Sequence, residues 1–312
     1  MRSRTRFLIA FGLAVAAFAG LSIAPAAASQ ADLHRGGGLC SALPLAGQNT
    51  FGLATVARGG SAARGEPGSM SGDGAFVAAP RGKKLTGVVT IPVHFHVLRA
   101  GSSYAQGNVK ESTVKRQLDV LNRAFAGGYG GAPMPFRFEL VSLDYTTNAE
   151  WFEMGYGTPA EREAKTALHR GGAGALNVYS GTAGANLGWA TWPWMQKEHP
   201  EWDGIVIDFD SMPGGEIEGF NLGHTATHEA GHWVGLYHTF QGGCSNSGDG
   251  VEDTPREFVP TSGCPAGKDT CTRHEGVDPI HNYMDYSTDP CYSEFSQGQV
   301  DRAVGFFTQY RS

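Results

Sequence analysis

The sequence predicts an α+β fold for residues 86–312: a mixed, twisted β-sheet backed by helices, then an irregular crosslinked lobe that ends in a helix. Three observations predict it. Apolar residues alternate with period 2 in some segments and recur at helical spacing in others, in the order strand, helix, strand, helix, several strands, helix. Regular patterning stops after His238, where residues 240–290 are dense in Gly, Pro, Asp, Ser and Cys. An amphipathic pattern returns only at the end, with Val300, Ala303, Val304 and Phe307 following Ser296 as N-cap.

The chain begins with the basic run Met1-Arg2-Ser3-Arg4-Thr5-Arg6, and residues 7–23 are apolar. Ala26-Ala27-Ala28 then offers a small-x-small cleavage site. Residues 1–28 therefore read as a signal peptide, which predicts a secreted, extracellular protein starting near Ser29 and no stable membrane anchor. Residues 29–85 are rich in Gly, Ala, Ser and Arg without a sustained period. Such a stretch buries too little apolar surface to offset its ordering entropy. It reads as a flexible pro-segment, with a plain disordered linker as the alternative.

Residues 88–98 predict the first strand, with Val93, Phe95 and Val97 on one face and His94 and His96 on the other. No acidic partner accompanies these histidines, so they read as structural. Asn108 is the expected N-cap of a helix carrying Val114, Leu118, Leu121 and Phe125, stopped by Gly127-Gly128. Residues 136–145 alternate as a second strand. Thr158-Pro159-Ala160-Glu161 predicts a capped helix with a capping box, ending at Gly171-Gly172. Residues 175–179, 187–191 and 204–209 read as short strands.

The stretch His228-Glu229-Ala230-Gly231-His232-Trp233-Val234-Gly235-Leu236-Tyr237-His238 carries the chemistry. Four residues apart on a helix, His228 and His232 project from one face, a spacing that suits two nitrogen ligands of one zinc. Glu229 lies beside the metal without needing to bind it. Gly235 permits a left-handed turn that ends the helix and returns His238 as a third ligand. Three protein ligands leave one tetrahedral position for water, which is the arrangement of a catalytic zinc. His224 lies one helical turn earlier, but a fourth histidine ligand would block that position, so it reads as a residue beside the metal site or at the surface and not as a ligand.

The formal net charge is −6, yet the first 84 residues carry +6, which leaves −12 on the rest. An acidic body favours cationic partners and argues against nucleic acid. Of five cysteines, Cys244, Cys264, Cys271 and Cys291 follow the histidine helix, an even set that allows three pairings. Two bridges there would contribute roughly 3 kcal/mol each. Cys40 stands alone in the leader.

Four stretches together resemble the pappalysin family of metzincins: residues 228–240 (HEAGHWVGLYHTF), Gln241-Gly242-Gly243-Cys244, Asp249-Gly250-Val251-Glu252-Asp253-Thr254-Pro255 and Asn282-Tyr283-Met284-Asp285-Tyr286-Ser287. Leu176-Asn177-Val178-Tyr179, Leu187-Gly188-Trp189-Ala190 and Asp203-Gly204-Ile205-Val206-Ile207 fit as well. The resemblance spans roughly residues 88–312. It implies a metzincin zinc-protease fold, with an upper subdomain (86–235) and a lower one (236–312), and hydrolysis of protein or peptide substrates. Glu229 would be the general base and Tyr286 would point its hydroxyl at the developing oxyanion. Met284 would form the thioether floor of a Met-turn. The implied disulfides are Cys244–Cys271 and Cys264–Cys291. Calcium near Asp249, Asp253 and Thr254 is implied too, as is a preference for a basic residue after the scissile bond, with Asp289 as its counter-charge. Cys40 would hold a zymogen latent, although Gly38-Leu39-Cys40-Ser41 lacks the Arg-Cys-Gly arrangement of relatives. The rival reading is a secreted zinc-binding or adhesion protein that kept the scaffold without activity; Glu229 and the intact histidines speak against it.

Overall fold

The computed structural model describes residues 77–80 and 85–312; the signal peptide, most of the expected pro-segment and Cys40 lie outside the described residues. Strand β1 (Val89–Arg99) runs through the sheet interior, with Ile91, Val93, Phe95 and Val97 buried. On its other face, His94 pairs with Ser142 (2.7 Å), and His96 pairs with Asn177 (3.0 Å) and, contrary to the expectation of no acidic partner, with Asp144 of the neighbouring strand (2.9 Å), 48 residues away in sequence. Both histidines thus serve the sheet. β2 (Phe136–Thr147) and β3 (Leu176–Gly181) flank β1 in parallel, and β5 (Ile205–Asp208) continues the parallel set. β4 (Gly188–Ala190) closes one edge antiparallel, giving the order β2-β1-β3-β5-β4. Between Val93 and His94 the register slips by one, because β2 carries Val141 as an extra, exposed residue.

Helix α1 (Glu111–Phe125) buries Val114, Leu118, Leu121 and Phe125. Its N-cap is Lys110, not the expected Asn108, whose amide is spent on the preceding turn: it accepts from Arg99 (2.6 Å) and donates to the Ser102 carbonyl (2.8 Å). The short α2 (Ala149–Phe152), capped by Asn148, was not anticipated. α3 (Pro159–Leu168) is capped by Thr158 as expected, but the capping box does not close. Glu161 instead binds the Gly157 N–H (2.7 Å), Lys165 (2.8 Å) and the Trp189 indole (2.6 Å).

Helix α4 (His224–Trp233) is buried at all ten positions, packed against α1, β4 and β5. A helix covered on every side shows no strong amphipathic stripe. α5 (Gln297–Tyr310) starts at the expected Ser296, which forms a capping box with Gln299. Just beyond it, the buried Arg311 guanidinium lies over the Trp233 ring (3.7 Å) and pairs with both Asp203 oxygens (2.7 and 3.0 Å). It also donates to the Trp233 carbonyl (2.8 Å). Removing either partner would strand a buried charge, at a cost of about 3–5 kcal/mol. The C-terminus is thereby locked to the end of α4.

The loop-rich region between α4 and α5 is crosslinked by Cys244–Cys271 and Cys264–Cys291, the pairing the resemblance implies. Within the expected pro-segment, Val77 donates to the Tyr237 hydroxyl (3.0 Å) and accepts from Arg302 (3.1 Å). A Cβ on Gly305 would lie 2.5 Å from the Pro80 carbonyl, so glycine there lets this segment approach α5. No described helix is long and apolar enough to cross a membrane.

Candidate active site

Three local devices bring the histidines together. α4 places His228 and His232 on one face. At Gly235 (φ +100°) the helix ends in a Schellman turn, in which Gly235 N–H binds the His232 carbonyl and Leu236 N–H the Gly231 carbonyl (2.9 Å each). A side chain at 235 would also meet the Phe306 ring, with its Cβ 2.6 Å from Cδ2. The turned chain then delivers His238.

The Nε2 atoms of His228 and His232 lie 3.1 Å apart, and those of His232 and His238 lie 3.0 Å apart. The same three residues form a group of metal-ligating atoms, all buried, and His224 is not part of it. His228 Nδ1 sits 2.6 Å from the Tyr283 carbonyl and His232 Nδ1 2.7 Å from the Leu236 carbonyl. A carbonyl only accepts, so each Nδ1 carries the proton and each Nε2 presents its lone pair. Two such lone pairs repel each other at 3.1 Å, and a shared cation would relieve that repulsion. Ligands about 2.0–2.1 Å from a tetrahedral zinc stand about 3.3 Å apart, close to the spacing seen here. The donor set fits zinc.

Around the trio, Phe240 stacks on His238 (4.8 Å, 8°) and the Tyr286 ring meets His238 edge-on (4.9 Å). Trp192, which the sequence did not mark, meets His232 edge-on (5.0 Å). Fully buried Glu229 lies beneath β4, where a Cβ on Gly188 would be 2.7 Å from its Oε1. Met284 packs under Gly231, with its turn held by Asn282 Oδ1 accepting from Met284 N–H (2.9 Å) and by Thr239 N–H donating to the Met284 carbonyl (3.1 Å).

His224 is buried among Tyr129, Tyr283 and Tyr292, and burial pulls its pKa down to about 4, so it is neutral. Asp289 is buried at the amino end of α4; its Oδ2 accepts from Leu222 N–H (2.7 Å) and His224 N–H (3.4 Å). Burial pushes its pKa up to about 6.

The expected calcium site gains no support. Asp253 is committed to the start of α5, accepting from Ser296 (2.7 Å) and Gly298 N–H (2.8 Å). Asp249 is buried, accepts from Val251 N–H (3.0 Å), and is pushed up to about 7 by burial. Among the described residues neither joins a group of three acidic, histidine or cysteine ligands. A second such group, Cys264, His281 and Cys291, has both sulfurs tied up in a disulfide.

Fold and histidine trio define the class: this is a zinc metalloendopeptidase, acting on protein or peptide substrates. The peptidase M43 family, described as pregnancy-associated plasma protein-A, matches residues 209–308. An extracellular metalloprotease of Sordaria macrospora is 42% identical over 244 residues, covering 77% of this chain and 82% of that protein. One from Neurospora crassa is 43% identical over 228 residues, 72% of this chain and 76% of its own length. Among solved structures, mature mirolysin of Tannerella forsythia in complex with a cleaved peptide aligns with a TM-score of 0.59 at 28% identity, covering 70% of this chain and 91% of that one. A promirolysin mutant from the same organism aligns at 0.61 and 26% identity, covering 72% and 82%. The chain belongs to the M43, or pappalysin, family of metzincin metalloproteases. Its curated relatives are named extracellular, consistent with secretion.

Proposed function

We propose that His228, His232 and His238 hold the zinc and that Glu229 is the general base of peptide-bond hydrolysis. The convergence of the His228 and His232 Nε2 atoms to 3.1 Å on one helix face, with the fully buried Glu229 next in the chain to His228, carries this reading. Zinc, when bound, polarises the scissile carbonyl and acidifies water enough for it to lose a proton near neutral pH. Glu229 accepts that proton on a carboxylate oxygen and returns it to the amine nitrogen as the C–N bond breaks. Tyr286, whose ring lies against His238, donates its hydroxyl hydrogen to the oxygen that gains negative charge. Phe240 and Trp192 restrict the tilt of His238 and His232.

Asp289 supports a preference for a basic residue after the scissile bond. With Oδ2 held by the backbone, its Oδ1 is buried without a hydrogen-bond partner among the described residues, and above about pH 6 the group is ionised. An ionised oxygen of this kind would accept from a guanidinium or ammonium where a substrate side chain reaches it.

The direct test is Glu229→Gln, which keeps the shape and removes the base. The variant should bind as much zinc as wild type while kcat falls by about 10²-fold or more. A zinc-loaded variant with wild-type kcat would refute the role of Glu229.

A further inference from the structure

We propose that Lys268 is a positioning residue for the reaction: its ammonium is the internal counter-ion that fixes the two segments carrying His238 and Tyr286. This rests on the functional reading above.

Lys268 Nζ sits in a cradle of four oxygens: Glu257 Oε1 (2.8 Å), Thr261 Oγ1 (3.0 Å), Asp278 Oδ2 (3.0 Å) and the Val259 carbonyl. Glu257, Thr261 and Asp278 are buried, and the lysine is mostly so. This is no surface ion pair, whose worth would be small. It is a cation enclosed by protein oxygens in a loop-rich lobe with little regular structure to set its shape.

The cradle reaches the active site by two short routes. In the first, Glu257 Oε2 accepts from the Thr239 hydroxyl (2.7 Å), and Thr239 directly follows His238. The Thr239 N–H in turn binds the Met284 carbonyl (3.1 Å). In the second, Thr261, whose hydroxyl touches both Lys268 and Glu257, donates its N–H to Asp285 Oδ1 (2.9 Å). That same oxygen accepts from the Tyr286 N–H (2.7 Å). The backbone positions of His238 and Tyr286 are thus set from one buried centre.

The charges explain why a cation is needed there. Glu257, Asp278 and Asp285 place three buried carboxyl groups in one network. Burial first, and Asp285 second, push the Glu257 pKa up to about 7, and burial raises Asp285 as well. Burial alone would lower the Lys268 pKa, but its hydrogen bonds to Glu257 and Asp278 outweigh that and raise it. Without the ammonium the acids would repel or take up protons, and the loops they anchor would separate. Asp278 also accepts from the Thr270 N–H (2.9 Å), beside the Cys244–Cys271 bridge, so the crosslink and the cation brace the same loops.

The test is steady-state kinetics of the full-length secreted enzyme with Lys268→Ala, normalised to bound zinc, with and without ethylammonium as a replacement cation. Zinc content should equal that of wild type, kcat per zinc should fall about tenfold or more with a smaller change in KM, and ethylammonium should restore it several-fold. A loss of folding alone would lower the amount of zinc-loaded enzyme and leave turnover per zinc unchanged. If the single variant does not accumulate, Lys268→Met with Glu257→Gln removes one charge of each sign and should show the same loss in kcat. Wild-type turnover per zinc in whichever variant folds, or a loss in Lys268→Ala that ethylammonium leaves untouched, overturns the proposal. Peptidase activity of the wild type, measured alongside, separates the two readings: its absence overturns the proposed function as well, whereas an active wild type beside an indifferent variant overturns this proposal alone.

Discussion

The backbone of Gly188 in β4 lies against the carboxylate of Glu229 in α4: a Cβ at position 188 would fall 2.7 Å from Glu229 Oε1 and 2.6 Å from the Val206 carbonyl. The carboxylate can swing aside, but the Val206 carbonyl is backbone, so the added methyl would also push β4 away from β5. Gly188→Ala should therefore leave zinc content intact and lower kcat by at least about tenfold, since displacing a proton-transfer group by even 1 Å is costly. Kinetics and metal content measured on one sample check it; an unchanged kcat would mean that Glu229 tolerates displacement.

Asp289→Asn should abolish any preference for Arg or Lys after the cut. A charge-assisted hydrogen bond contributes about 1.5–3 kcal/mol, which corresponds to roughly a 10- to 100-fold loss in kcat/KM for basic substrates. Apolar substrates should be cleaved as before. Because the wild-type carboxyl titrates at about 6, its preference should also fade as pH drops below that value. Cleavage profiles of a peptide library at pH 5 and 7.5 read both effects.

Asp249 gives a pH dependence of known sign. Its pKa is raised from 3.8 to about 7 in the folded chain, so the native state holds a proton that the unfolded state has released. Its contribution to stability is fully present below the unfolded value and is lost as pH rises through about 7. Asp249→Asn, neutral throughout, should gain in Tm relative to wild type between pH 4 and pH 8, as thermal melts across that range would show. A wild-type Tm that rises with added calcium, in the absence of any rise for the variant, would instead return calcium to this site.

The contacts of Val77 and Pro80 bear on maturation. A segment that engages Tyr237, Arg302 and the Cα of Gly305 is built into the catalytic body, so the cut that frees the mature enzyme is expected before Val77 and not near residue 85. Intact-mass analysis of the secreted protein should give an amino terminus at or before residue 77. A mature form starting after Pro80 would show that these contacts belong to the precursor alone.

Much of this was legible because it is local. The spacing of His228 and His232, the freedom of Gly235, the caps at Thr158 and Ser296 and the alternation in β1 are short-range patterns, and the structure follows them. Long-range pairings were not legible. Asp289 meets Leu222 across 67 residues and Arg311 meets Asp203 across 108. The Lys268 cradle is built in a lobe whose composition announces only loops. Asn108 misled for a related reason: an amide that can cap a helix can equally cap a turn, and Arg99 decided which. Gly188 was visible only as part of a resembling tetrapeptide; its nearness to Glu229 is a property of the sheet edge.

The central claim is that three imidazoles hold one catalytic zinc. Metal analysis of the purified, processed enzyme tests it most directly: about one zinc per chain is expected in the wild type, and loss of both metal and activity in His232→Ala. A fully active preparation free of transition metal would contradict it.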